Sequence, residues 1–157
     1  MSTTLTGTVE LVEGMTFRAT TDSGHKIVLD AAPEHGGADR GPRPMALLVV
    51  GLAGCTAMDV IGILRKMRQD VTGYQVRVWA ERAEEHPKVL TSIIIEHVLR
   101  GRAVNPEAVR KAVELSATRY CSVGAMLKQA APIEERYRIV DESTGVQIVR
   151  TLALPAT

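Results

Sequence analysis

The run from Met45 to Ile63 is almost wholly apolar and carries one charge, Asp59. Such a stretch has to be covered, by lipid or by protein. Its length just reaches the roughly 20 apolar residues of a transmembrane helix. Gly51, Gly54 and Gly62 dilute it, however, and a carboxylate at mid-membrane costs about 2.5–3.5 kcal/mol on insertion scales. The segment continues as Arg65-Lys66-Met67-Arg68, a helical tail with cations at the negative end of the helix dipole. The run therefore reads as a central helix, 45–69, buried in a soluble fold. Gly51, Cys55, Asp59 and Gly62 follow one another at steps of four, four and three. They share one face, where a second backbone can approach closely.

A chain of 157 residues, 45% apolar, is one domain's worth of globular protein, here taken as 1–157. Nineteen basic and 18 acidic residues leave a net charge of +1, which argues against nucleic acid as a main partner and against a polybasic membrane anchor. An aromatic content of 3% speaks against a stacking platform for single strands. No basic residues lead into an apolar run at the N-terminus, so no signal peptide is expected. The expected location is the cytoplasm, where a permanent disulfide is not expected.

Around the helix the pattern is β-rich. Thr4–Leu11, Met15–Thr20 and His25–Leu29 read as a three-stranded meander, turning at Glu13-Gly14 and Asp22-Ser23-Gly24. Pro33, Gly36, Gly37, Gly41, Pro42 and Pro44 mark a loop, which completes an N-terminal part, 1–44. In the remainder, 74–157, two strands alternate in polarity, Tyr74–Glu84 and Val89–Leu99, turning at Glu85-His86-Pro87. Asn105-Pro106 starts a helix that runs to about Thr118. A short helix, Ser122–Ala130, and a hairpin, Glu134–Val140 with Val146–Thr151, close the chain. The order is βββ-α-ββ-αα-ββ, an α+β fold.

Few residues offer chemistry. Cys55 sits mid-helix, and Cys121 stands at the mouth of the Ser122 helix, whose free amides favour a thiolate. Spacing alone leaves two packing cysteines, a redox pair or half of a metal site as alternatives. His25, His35, His86 and His97 form no HxH or HxxxH pattern and read as structural or surface residues. His97, in a strand, is a metal ligand by type only. Met45, Met58, Met67 and Met126 read as core fillers. Arg18, between Phe17 and Ala19 in a strand, points outward on the plainest reading. Of Glu134 and Glu135, one faces inward if the strand alternates.

Two segments resemble a known family. Gly41-Pro42-Arg43-Pro44-Met45-Ala46-Leu47-Leu48, continuing through Gly51-Leu52-Ala53-Gly54-Cys55-Thr56-Ala57-Met58-Asp59-Val60, is similar to one signature of the OsmC/Ohr superfamily of osmotically inducible and organic hydroperoxide resistance proteins. Tyr120-Cys121-Ser122-Val123-Gly124-Ala125-Met126-Leu127 is similar to its second. The likeness is to the general OsmC-like branch and covers almost the whole chain.

The resemblance implies an intertwined homodimer with two long central helices inside joined sheets and active sites at the interface. It implies a thiol-dependent, antioxidant peroxidase that reduces organic hydroperoxides in a stress response. Cys55 matches the peroxidatic cysteine, Cys121 the resolving cysteine, and Arg18, by its step to the turn glycine Gly24, the arginine that activates the thiolate. No cofactor or metal is expected; an external dithiol is the reductant. The family glutamate that clamps this arginine is replaced by Met45. Asp59, one turn on from Cys55, is a supporting residue that pairs with a cation or holds the loop before Met45. The alternative is a non-enzymatic dimer that binds an apolar ligand in the interface pocket. A metal-binding module would need a histidine nitrogen near both sulfurs.

Overall fold

A computed structural model of the chain describes residues 2–154. Met1 and residues 155–157, the outer ends of the expected 1–157 domain, lie outside the described residues. The chain divides into two compact units, Met1–Leu48 and Val49–Thr157.

The first unit is an antiparallel meander of β1 (Gly7–Glu13), β2 (Thr16–Thr21) and β3 (Lys26–Leu29). Its turns fall at Gly14 and Gly24, both at positive φ. The loop that follows is tied to one carboxylate. Asp30, buried, accepts hydrogen bonds from the Thr16 hydroxyl and from the Ala31, Ala38 and Arg40 amides, at 2.7–3.2 Å. Burial alone would raise the Asp30 carboxyl, but the Arg40, Thr16, Ala31 and Ala38 donors outweigh it and hold the group below its ordinary value. Gly37 is fixed by the same packing, since a Cβ there would stand 1.9 Å from the Ala31 carbonyl oxygen.

The helix α1 (Pro44–Lys66) contributes its length from Val49 onward to the second unit. There a four-stranded sheet has the order β4 (Val71–Arg82), β5 (Leu90–Gly101), β6 (Ile133–Asp141), β7 (Gln147–Thr151). β5 and β6 are parallel, so the chain between them must cross over. It does so through α2 (Pro106–Leu115), a π turn over Ser116–Tyr120 and α3 (Ser122–Leu127). Asn105 caps α2 by accepting from the Glu107 amide at 2.9 Å, with Pro106 at the first helical position. The core lies among α1, α2 and the sheet: Val60 and Leu64 meet Leu99, Val109, Val113 and Ile139.

The α+β order is as expected, with three refinements. The α2 helix stops at Leu115 rather than near Thr118, because the backbone widens into the π turn. The central helix is not buried all round: one stripe, Leu52, Thr56, Val60 and Leu64, faces the core, while Val50 is 64% exposed and Met58 76%. Met58 and Met126 are thus surface residues rather than core fillers. By length and mean hydropathy, 2.2, that helix is also long and apolar enough to cross a membrane, but its buried stripe is engaged in the core.

Candidate functional site

The helix α1 carries Cys55, Thr56 and Asp59 within little more than one turn, so all three reach the same neighbour. That neighbour is the π turn and the start of α3. The Cys121 amide bonds back to the Ser116 carbonyl at 2.9 Å, and this five-residue step sets Cys121 directly before α3. The result is a cluster in which one ligand atom each of Cys55, Asp59 and Cys121 lies within 4.8 Å of the other two. Two sulfurs remote in sequence are thereby brought together.

Behind the cluster runs a buried hydroxyl chain. Thr56 Oγ1 and Ser116 Oγ are 2.8 Å apart, and Ser116 Oγ donates to Asp59 Oδ2 at 3.0 Å. A serine hydroxyl has one hydrogen, so Thr56 is the donor to Ser116. Both hydroxyls are sealed from water. Asp59 is therefore oriented by Ser116.

Cys121 differs from the expectation set by its place before a helix. Its sulfur accepts from the Gly124 amide at 3.3 Å, and that bond does favour the thiolate. Burial works the other way and is stronger. With the Cys55 sulfur and the Asp59 charge adding to it, the thiol is pushed up to about 12. Gly124 is glycine for packing reasons: a Cβ there would stand 3.3 Å from the Cys121 sulfur.

Cys121 also lines a cavity of about 250 Å³ with Leu52, Thr56, Ile95, Gly124 and Glu135. Glu135 belongs to a second buried cluster that sequence reading did not find. Tyr74 on β4, His97 on β5 and Glu135 on β6 lie on one diagonal of the sheet. The Tyr74 hydroxyl is 2.6 Å from His97 Nδ1, and His97 Nε2 is 3.1 Å from Glu135 Oε2. Burial, then the charges of Glu135 and Asp59, push the Tyr74 phenol far up. The phenol keeps its proton and donates to Nδ1, which leaves the Nε2 proton for Glu135. The inward glutamate of the Glu134–Glu135 pair is Glu135, and His97 is buried between it and Tyr74.

Arg18 lies on β2 of the first unit, exposed, opposite Glu10 and Val28. Among the described residues the sulfur cluster includes no histidine; its third member is a carboxylate. The histidine-bearing metal module considered from sequence is therefore not formed here, and the cluster offers a carboxylate in the histidine's place.

Comparison with known proteins gives a consistent result. Residues 36–136 match the profile of the family described as OsmC-like protein. Protein YhfA of Escherichia coli (strain K12) is 41% identical over 132 residues, covering 84% of this chain and 96% of YhfA. A solved hypothetical protein from Aquifex aeolicus VF5 superposes with a TM-score of 0.79 at 32% identity, over 90% of this chain and 99% of that one. An organic hydroperoxide resistance protein from Elizabethkingia anophelis shares the fold, with a TM-score of 0.64 at 13% identity over 90% and 99% of the two chains.

Proposed function

Since the chain belongs to the OsmC-like family, we propose that it is a thiol-dependent peroxidase that reduces organic hydroperoxides through Cys55 and Cys121. The observation that carries this reading is the approach of the two sulfurs to within 4.8 Å. The organic hydroperoxide resistance protein with the same fold supports the substrate class.

The Cys55 thiolate attacks the distal oxygen of the peroxide. The O–O bond breaks, the alkoxide takes a proton and leaves as alcohol, and Cys55 becomes a sulfenic acid. The Cys121 sulfur then attacks the Cys55 sulfur, and water leaves as the disulfide forms. Cys121 is a poor nucleophile while protonated. Asp59, within 4.8 Å of both sulfurs, accepts its proton and passes it to the departing hydroxide. An external dithiol restores both thiols by exchange, which suits a reducing cytoplasm. The resemblance assigns to Arg18 the cation that favours the Cys55 thiolate and the charge developing on the leaving oxygen; with Met45 at the clamp position, the family glutamate is missing from that role. The working unit is a homodimer, in which a second copy covers the exposed side of α1.

The apolar lining of the Cys121 cavity, Leu52, Ile95 and Ile133 among it, favours alkyl and fatty hydroperoxides over hydrogen peroxide. It also favours the second reading, a dimer that holds an apolar ligand without turnover. A panel of hydrogen, cumene and fatty-acid hydroperoxides with dithiothreitol as donor separates the two. Catalytic consumption of the organic peroxides, abolished by Cys55→Ser, is expected. Binding of a fatty acid with no peroxide consumption would decide for the second reading.

A further inference from the structure

We propose that Cys55, Asp59 and Cys121 together form a three-ligand site for a thiophilic divalent cation, zinc first, with a fourth position left to water. Zinc takes thiolate sulfur at about 2.3 Å and carboxylate oxygen at about 2.0–2.2 Å in a tetrahedron. Two sulfurs on such an ion stand about 3.8 Å apart. The three ligand atoms here lie within 4.8 Å of one another, so the ring has at most about 1 Å to close. Two sulfurs and one oxygen select zinc or cadmium over magnesium or calcium, which prefer all-oxygen shells.

The second observation is the support behind the carboxylate. Ser116 occupies Asp59 Oδ2 at 3.0 Å and is itself held by Thr56 at 2.8 Å. Both hydroxyls are buried, at 0% and 1% exposure. The bond fixes the direction of the carboxylate, as hydrogen bonds do for carboxylates that ligate metals. Asp59 also lines a groove with Met58, Lys66 and Tyr120, which gives an ion access to the carboxylate.

The site uses the same sulfurs as the proposed peroxidase but does not depend on that activity. Binding exchanges two thiol protons, lost to the buffer, for two metal–sulfur bonds. A disulfide has no thiolate to offer, so oxidation and metal binding exclude each other.

The test is titration of the fully reduced full-length chain with Zn²⁺ against a chromophoric chelator, and with Cd²⁺ read by thiolate-to-metal charge-transfer absorption, under argon and without peroxide. One ion per chain is expected, with magnesium showing no competition. Cys55→Ser and Cys121→Ser each lose the cadmium band, Asp59→Asn weakens zinc binding, and Ser116→Ala weakens it by about 10–100-fold. The disulfide form takes up none. X-ray absorption on the zinc-loaded wild type reads the shell without any variant, and two sulfur with two oxygen scatterers are expected. No uptake by the reduced chain, a four-sulfur shell, or equal affinity in folded Asp59→Asn would overturn the site. Loss of peroxidase activity alone would leave it standing.

Discussion

Ser116 donates its hydroxyl hydrogen to Asp59 at 3.0 Å, although the two stand 57 residues apart. Ser116 is the residue at which α2 gives way to the π turn, and Asp59 lies on the central helix. The bond ties the segment that carries Cys121 to the helix that carries Cys55. Ser116→Ala removes it and also orphans the buried Thr56 hydroxyl. A buried donor left unsatisfied costs about 1–3 kcal/mol, and a loss of that size is expected in urea denaturation. Thr56→Val combined with Ser116→Ala should cost less than the sum of the two single changes, since no unpaired Thr56 hydroxyl is left.

The two cysteines are expected to fail in different ways. Cys55→Ser removes the group that meets the peroxide, so no first turnover is expected. Cys121→Ser leaves that step intact and removes the partner that resolves it. One equivalent of hydroperoxide should then be consumed, and the sulfenic acid should persist long enough for capture by dimedone. Mass spectrometry of the wild type should show one intrachain disulfide after a stoichiometric dose. Independent over-oxidation of both thiols, with no disulfide at any dose, would refute the pairing.

The buried diagonal of Tyr74, His97 and Glu135 makes a stability prediction. In His97→Leu the Glu135 carboxylate, 3% exposed, loses the donor 3.1 Å away, and the Tyr74 hydroxyl loses its acceptor. Leaving a buried hydrogen-bonding group without its partner costs about 1–3 kcal/mol, and more where the group is charged. Glu135→Gln keeps an acceptor for His97 Nε2 and should cost clearly less. Thermal unfolding of the two variants side by side gives the ordering, and equal losses would contradict it.

What could be read from the sequence was local. The apolar run, the Asn105-Pro106 start and the turn glycines each act within a few residues, and α1, α2 and the meander form close to where those signals place them. The cysteine motifs could be recognised because they are contiguous. The hydroxyl chain from Thr56 through Ser116 to Asp59 could not, because its members belong to different elements, and single serines and threonines carry no spacing signal. The Tyr74–His97–Glu135 diagonal depends on the register of three strands, one pair of them parallel. The exposure of Met58 and Met126 shows the limit of type-based reading: a flexible apolar side chain fits a core or an interface equally well.

The uncovered side of α1 tests the proposed homodimer. Val50 and Met58 are exposed, and a Cβ built on Gly51, Gly54 or Gly62 would meet nothing within 4 Å. A second helix can therefore come close along this side. Met58→Lys places a charge there without touching the Leu52–Thr56–Val60–Leu64 stripe. Sedimentation equilibrium should find a dimer for the wild type and a shift toward monomer for the variant, with circular dichroism unchanged. A wild-type monomer at tens of micromolar would remove the interface from the proposal.

The environment of Cys121 makes stability depend on alkaline pH in a definite direction. Burial, with the Cys55 sulfur and the Asp59 charge, pushes its thiol up to about 12 against the pull of the Gly124 amide. An unfolded cysteine releases its proton near pH 8.5. Between about pH 8.5 and 12 the unfolded chain has lost this proton while the folded chain still holds it. Unfolding then releases a proton, so stability falls as pH rises through that window and is unaffected by this group below it. Cys121→Ala lacks the group and should lose stability less steeply. In a reducing buffer, the difference in Tm between wild type and Cys121→Ala should stay constant from pH 6 to 8. Between pH 9 and 10.5 it should move steadily in favour of the variant. Alkylation of Cys121 by iodoacetamide in the folded chain should likewise keep accelerating beyond pH 9.5, where an unfolded cysteine has levelled off. Parallel Tm curves together with a plateau in alkylation near pH 9 would mean that the thiol is not held protonated by its burial.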